Sequence, residues 1–107
     1  MKVNVIEKHD GEGQFPTFSK GTLVSVKEAC THYRHWYACK IDTYFTYIPE
    51  SYIVNGKLIQ DYNPTELVQN VGDIVTVKAI VYGWLFAVNE DKKCGWIPAE
   101  KVVSIYE

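Results

Sequence analysis

The segment CTHYRHWYAC, Cys30 to Cys39, concentrates two of the chain's three cysteines and two of its three histidines within ten residues. Thiolate and imidazole are ligands that zinc favours, and a thiol beside an imidazole is the start of a nucleophilic pair. The metal reading needs Cys30, His32, His35 and Cys39 to converge on one tetrahedral ion. Their spacing, C-x-H-x2-H-x3-C, is not a familiar zinc pattern. The nucleophile reading lacks a third residue to orient the base. A reading without chemistry also stands, in which the segment is a loop between two strands. Elsewhere the sequence holds no Gly-rich loop running into a helix, no G-x-S-x-G and no H-E-x-x-H. Glu90 and Asp91 adjoin only where a hairpin tip is expected, and acidic residues there are usually a solvated turn. The sequence therefore predicts a protein that is not an enzyme and carries no cofactor or metal.

The elements that must position these residues are short strands. The chain has 107 residues, a formal net charge of −2 and 14% aromatics, eight of them tyrosine. Tyr and Trp at this density favour a contact surface, because each pairs an apolar body with a polar tip. Lys and Arg are scattered, which argues against a nucleic-acid or anionic-membrane partner. No run approaches the ~20 apolar residues of a spanning helix. MKVNVIEKHD is too polar for the apolar core of a signal peptide. Together with an odd number of cysteines, this predicts reduced thiols and a cytoplasmic location.

Nowhere does apolar spacing hold a helical period for three turns. β-branched and aromatic runs recur instead: LVSVK, WYACKI, YIVNG, DIVTVKAIV, WLFAV and GWIPAEKVV, punctuated by Gly, Asn and Asp. Two stretches also match each other. KGTLVSVKEA (20–29) aligns with VGDIVTVKAI (71–80). Each is followed by a Trp strand, from Trp36 and from Trp84, and then by Ile-Pro, in YIPESYI and in WIPAEKV. Self-similarity of this kind means two copies of one small β-unit.

The order of these elements resembles the SH3 domain. GDIVTV is similar to the strand after that family's diverging turn, Trp84 to the first Trp, and GWIP (95–98) to its G-[WY]-I-P signature. LIQDY (58–62) resembles a worn form of the ALYDY opening. In the first half FSKG, Trp36 and YIPESYI correspond, whereas VNVIEK keeps neither opening tyrosine. The resemblance implies an all-β fold of two tandem SH3-like small barrels over residues 1–55 and 56–107, each of five strands with a short 3₁₀ turn. Tandem copies without an attached catalytic domain look more like bacterial SH3-like proteins than eukaryotic signalling adaptors. In this frame Thr31 to His35 are a loop, and Cys39 fills the small buried slot that Ala87 fills in the second copy. A core-facing Cys39 cannot join ligands on that loop.

The resemblance also implies a site. SH3 grooves hold polyproline-II peptides between aromatic ridges, and an acidic loop attracts a basic ligand residue. The first copy offers Trp36, Tyr47, Pro49 and Tyr52, with Asp10 and Glu12 on the acidic loop. In that copy Ile6 and Lys8 stand about where the opening tyrosines should be. The second copy offers Tyr62, Trp84, Trp96 and Pro98, with Gln60 and Lys101 at two positions where the family has Tyr. The implied function is non-catalytic binding of a protein or proline-rich peptide. The alternatives are a cell-wall (peptidoglycan) binding module, and a structural or assembly protein whose grooves are buried between copies or chains. Asn55-Gly56 between apolar residues is a strong hairpin signal. It predicts a linker too short for independent tumbling, and a hinge that would permit a homodimer, including a strand-swapped one.

Overall fold

The computed structural model describes residues 1–11 and 14–105. Its strands are β1 (Lys2–Val5), β2 (Val24–Ala29), β3 (Trp36–Ile41), β4 (Tyr44–Pro49), β5 (Ile53–Val54), β6 (Lys57–Leu58), β7 (Ile74–Val81), β8 (Trp84–Val88), β9 (Cys94–Pro98) and β10 (Val102–Ser104). Short 3₁₀ turns at Glu50–Tyr52 and Ala99–Lys101 follow the two Ile-Pro pairs, where each proline sets an extended φ before the turn. The all-β expectation holds.

The strands form three sheets, a five-stranded one in the order β10-β1-β7-β8-β9, a three-stranded β2-β3-β4 and a two-stranded β5-β6. None of them closes into a barrel, so the finer expectation of two tandem barrels is not met by the sheets as they pair. A bridge from Leu23 to Lys57 links the two smaller sheets edge to edge, giving the order β5-β6-β2-β3-β4. That order repeats the larger sheet: a strand after the 3₁₀ turn, an opening strand, then a three-strand meander. The internal repeat extends to irregularities. β2 slips register between Val26 and Glu28 against β3, and β7 slips between Val77 and Ala79 against β8. The aligned residues Lys27 and Lys78 are thus the extra residue of the same bulge.

The chain divides into two compact units, and not at residue 55. One is contiguous, Phe15–Pro64; the other is split, Met1–Gln14 with Thr65–Glu107. The boundary moves because β1 pairs with β7 and β10, not with the strands that follow it in sequence. Likewise β6 joins β5 and the residue before β2. Each half of the sequence therefore receives its opening strand from the other half. Asn55-Gly56 does form the expected two-residue turn, with φ of 52° and 72°. It closes the β5–β6 hairpin inside the contiguous unit and does not link two units.

Alternation along each strand places one face inward. In the split unit Val3, Val5, Leu67, Val75, Leu85, Ala87 and Ile97 form one buried cluster. In the contiguous unit Val24, Cys39, Ile41, Ile48 and Leu58 are buried. Cys39 pairs with Val26 across the bulged ladder as Ala87 pairs with Val77, so the two small residues do occupy one slot.

Candidate functional site

The cysteine–histidine segment runs from the loop after β2, which holds Cys30, His32 and His35, into β3, which holds Cys39. Burial pushes the Cys39 thiol up to about 11, so it is a poor nucleophile and a poor metal ligand. Cys30 Sγ accepts from the Tyr33 N–H at 3.4 Å, and His35 Nδ1 lies 2.7 Å from Glu50 Oε2. Among the described residues, no three His, Cys, Asp or Glu side chains come together as a metal would require.

The residues expected to line grooves fall into two sets. The contiguous unit gathers Trp36, Tyr47, Pro49, Tyr52 and Tyr62, so Tyr62 joins the first-copy set and not Trp84. Trp36 lies directly across from Pro49 on the β3–β4 ladder, and the Tyr52 and Tyr62 rings meet edge to face at 5.5 Å. Tyr62, bridged to Phe18, thus joins Trp36, Pro49 and Tyr52 in one unit. Yet Trp36, Pro49 and Tyr62 are buried. The Tyr62 hydroxyl donates to the Tyr47 carbonyl at 2.7 Å. Burial also pushes the Tyr52 hydroxyl above its ordinary value, partly countered by a bond to Gln60. These side chains therefore do not stand as ridges on an outer skin. What remains open is β4, where Tyr44, Phe45 and Tyr47 are 38%, 69% and 46% exposed.

The split unit holds Asp10, Trp84, Trp96 and Pro98; Glu12 lies outside the described residues. Trp96 and Pro98 are buried, Trp84 is half-buried and Asp10 is exposed, 3.3 Å from Lys8. Around Trp84 stands a cluster that the sequence reading missed. His9 bridges to Gln69 through its backbone, in the way that Tyr62 bridges to Phe18 in the other unit. His9 thus holds the place that Tyr62 holds in the other unit. Its ring meets Trp84 edge-on at 5.8 Å. Nε2 lies 2.7 Å from Glu66 Oε1, and Nδ1 lies 3.0 Å from Lys101 Nζ. An ammonium offers only donors, so Nδ1 accepts from Lys101 and Nε2–H donates to Glu66. With both ring nitrogens engaged and the side chain 9% exposed, this imidazole has no nitrogen to offer a substrate. The available signal was the alignment itself: repeat pairing sets His9 against Tyr62, Glu66 against Phe15 and Lys101 against Tyr52. Polar residues in the split unit stand where the contiguous unit is aromatic.

Beside this cluster the split unit has an open groove of about 920 Å³, lined among others by Asp10, Glu66, Asp73, Glu90, Asp91 and Lys93. Its wall is fixed by amides. Gln69 Nε2 donates to Asp73 Oδ2 at 2.8 Å, and Asn89 Nδ2 donates to Gln69 Oε1 at 2.9 Å. Asn89 Oδ1 also accepts the Asp91 and Lys93 N–H groups, so Glu90 and Asp91 sit on a capped, exposed turn. Five carboxylates against one ammonium give the groove a negative field.

Compared with protein-family models, with curated proteins and with solved structures, the chain matches none. Among the described residues, no helix is long and apolar enough to cross a membrane.

Proposed function

We propose that the chain is a non-catalytic protein- or peptide-binding module made of two SH3-like units that exchange their opening strands. The common strand order, the shared bulge and the Trp–Pro ladder pair in each unit support the fold reading. The observation that carries the function is the open strand β4, whose Phe45 and Tyr47 lie on one face and are 69% and 46% exposed. An exposed patch of aromatics rimmed by polar groups is the surface expected of a binding site. The split unit contributes differently: its polar cluster replaces aromatic ridges, and its acidic groove suits a basic ligand residue. The expected partners are a protein or a peptide, with a proline-rich peptide as one class.

A peptide array that includes proline-rich and other extended sequences tests this. Wild type should select a subset of spots, and Phe45→Ser/Tyr47→Ser should lose them while keeping its melting temperature within a few degrees. An array with no selected spots, or the same spots for both proteins, overturns the reading. Trp36→Ala is a poor probe here, because removing a buried indole costs roughly 3–5 kcal/mol of stability.

A further inference from the structure

The positions that His9 and Lys101 hold in the split unit are held by Tyr62 and Tyr52 in the contiguous unit. Those two rings meet edge to face at 5.5 Å and carry no group that takes up a proton in acid. The split unit instead puts an imidazole between an ammonium and a carboxylate. His9 Nδ1 lies 3.0 Å from Lys101 Nζ, and Nε2 lies 2.7 Å from Glu66 Oε1.

The surroundings of the ring fix what an added proton does. Lys101 comes from the turn Ala99–Lys101, Glu66 from the segment bridged to β9, and Trp84 from β8. Among the described residues, Lys101 and Glu66 are the charged side chains bonded to the ring. Lys8 and Asp10 flank His9 in sequence, but their side chains are exposed and pair with each other at 3.3 Å. Gln69, which bridges His9 through the backbone, turns its side chain to Asp73 and Asn89.

The neutral ring satisfies both neighbours, since Nε2–H donates to Glu66 and Nδ1 accepts from the ammonium. A second proton can go only to Nδ1. Imidazolium then offers two donors and no acceptor, and the ammonium offers donors alone. Two like charges would face each other at 3.0 Å with no lone pair between them. One neighbour has to leave, and the two are held unequally. The Glu66 contact gains charge assistance and strengthens. The Glu66 backbone is also fixed, because Trp96 N–H donates to the Thr65 carbonyl at 3.0 Å and Leu67 N–H to the Trp96 carbonyl at 2.9 Å. Lys101 Nζ is otherwise held by the Lys8 carbonyl at 3.3 Å, and its flexible stem can turn it to water.

We infer that His9 is a proton-operated latch: the neutral ring ties Lys101 to Glu66, and the protonated ring keeps Glu66 and releases Lys101. The latch closes a seam. The Lys101 carbonyl accepts the Ile6 and Glu7 N–H groups, and the next residue, Val102, begins the strand that pairs with β1. Once released, the ammonium no longer fastens this turn to the ring, so the seam opens locally more often in acid. The latch does not depend on what the chain binds.

The test is NMR on the full ¹⁵N,¹³C-labelled chain from about pH 8 to about pH 5, the range in which imidazoles change charge. At the upper end His9 should carry a proton on Nε2 and none on Nδ1, with ring cross-peaks to the Lys101 ε-methylene and the Glu66 side chain. On acidification Nδ1 should gain its proton and the Lys101 cross-peaks should vanish, while those to Glu66 remain. Protection of the Ile6 and Glu7 amides, corrected for intrinsic exchange, should fall together with the Lys101 contact. Cross-peaks between Tyr52 and Tyr62 should not change. Lys101→Met should take up the ring proton at a higher pH than wild type, because the repelling charge and the donor to Nδ1 are both gone. Glu66→Gln should take it up at a lower pH, because the carboxylate that favours the charged ring is gone. Lys101 cross-peaks that persist once Nδ1 is protonated, or unchanged amide protection, overturn the latch. So does a ring still neutral at the acid end, or one midpoint shared by all three proteins. If a variant does not fold, the wild-type titration decides alone.

Discussion

Cys39 and Ala87 occupy one position of the duplicated unit, and the difference between them is a single titratable atom. Burial raises the Cys39 thiol to about 11 in the folded chain, against about 9 when it is solvated. The neutral thiol is the folded form, so its contribution is fully present below about pH 9 and is lost as pH rises from about 9 to about 11. Cys39→Ala should therefore fold well, as Ala87 does in the same slot, and its melting temperature should fall less than wild type's between those pH values. In native protein the exposed Cys94 should alkylate first and Cys39 only on unfolding. His9 makes a second test at this scale. Lys101→Met removes a donor from a buried ring nitrogen and should cost about 1–3 kcal/mol in urea unfolding. Lys20→Met, at an exposed position, should stay within about 0.5 kcal/mol.

At the scale of elements, the edges of the two meanders are treated differently. Thr65–Leu67 covers β9 only because residue 95 is glycine. Gly95→Ala should push the segment off, at a cost of about 1–3 kcal/mol, and should expose the Leu67 and Trp96 amides to hydrogen exchange. Gly72→Ala meets nothing within 4 Å but carries a φ of +95°. It should cost about 1 kcal/mol without altering exchange at Leu67. The turn at Asn55-Gly56 was legible in the sequence because local chemistry sets it, whereas the matching bulges at Lys27 and Lys78 appeared only in the ladders. The partner of each edge was not legible either, because edge pairing is long-range.

For the whole molecule, the exchange of opening strands is the largest departure from a simple tandem. β1 belongs to the unit built mainly from residues 65–107, some seventy positions away along the chain. Val5→Ala, at a fully buried position, should cost roughly 2 kcal/mol. Amide protection should fall across β7 to β10 while β2 to β6 keep theirs. Equal loss in both halves would contradict the division into a split and a contiguous unit. Tyr62 joins Trp36, Pro49 and Tyr52 in one unit only after the chain folds back.

By itself the sequence determined the all-β class, the duplication, the Asn-Gly hairpin and the shared slot of Cys39 and Ala87. These follow from short-range periodicity, turn chemistry and self-alignment. Tertiary structure alone decided which opening strand each unit uses, that Trp36 and Tyr62 are sealed while β4 stays open, and that His9, Glu66 and Lys101 meet. Pairing partners and burial depend on how distant segments share one core, and no local pattern of residues encodes that choice.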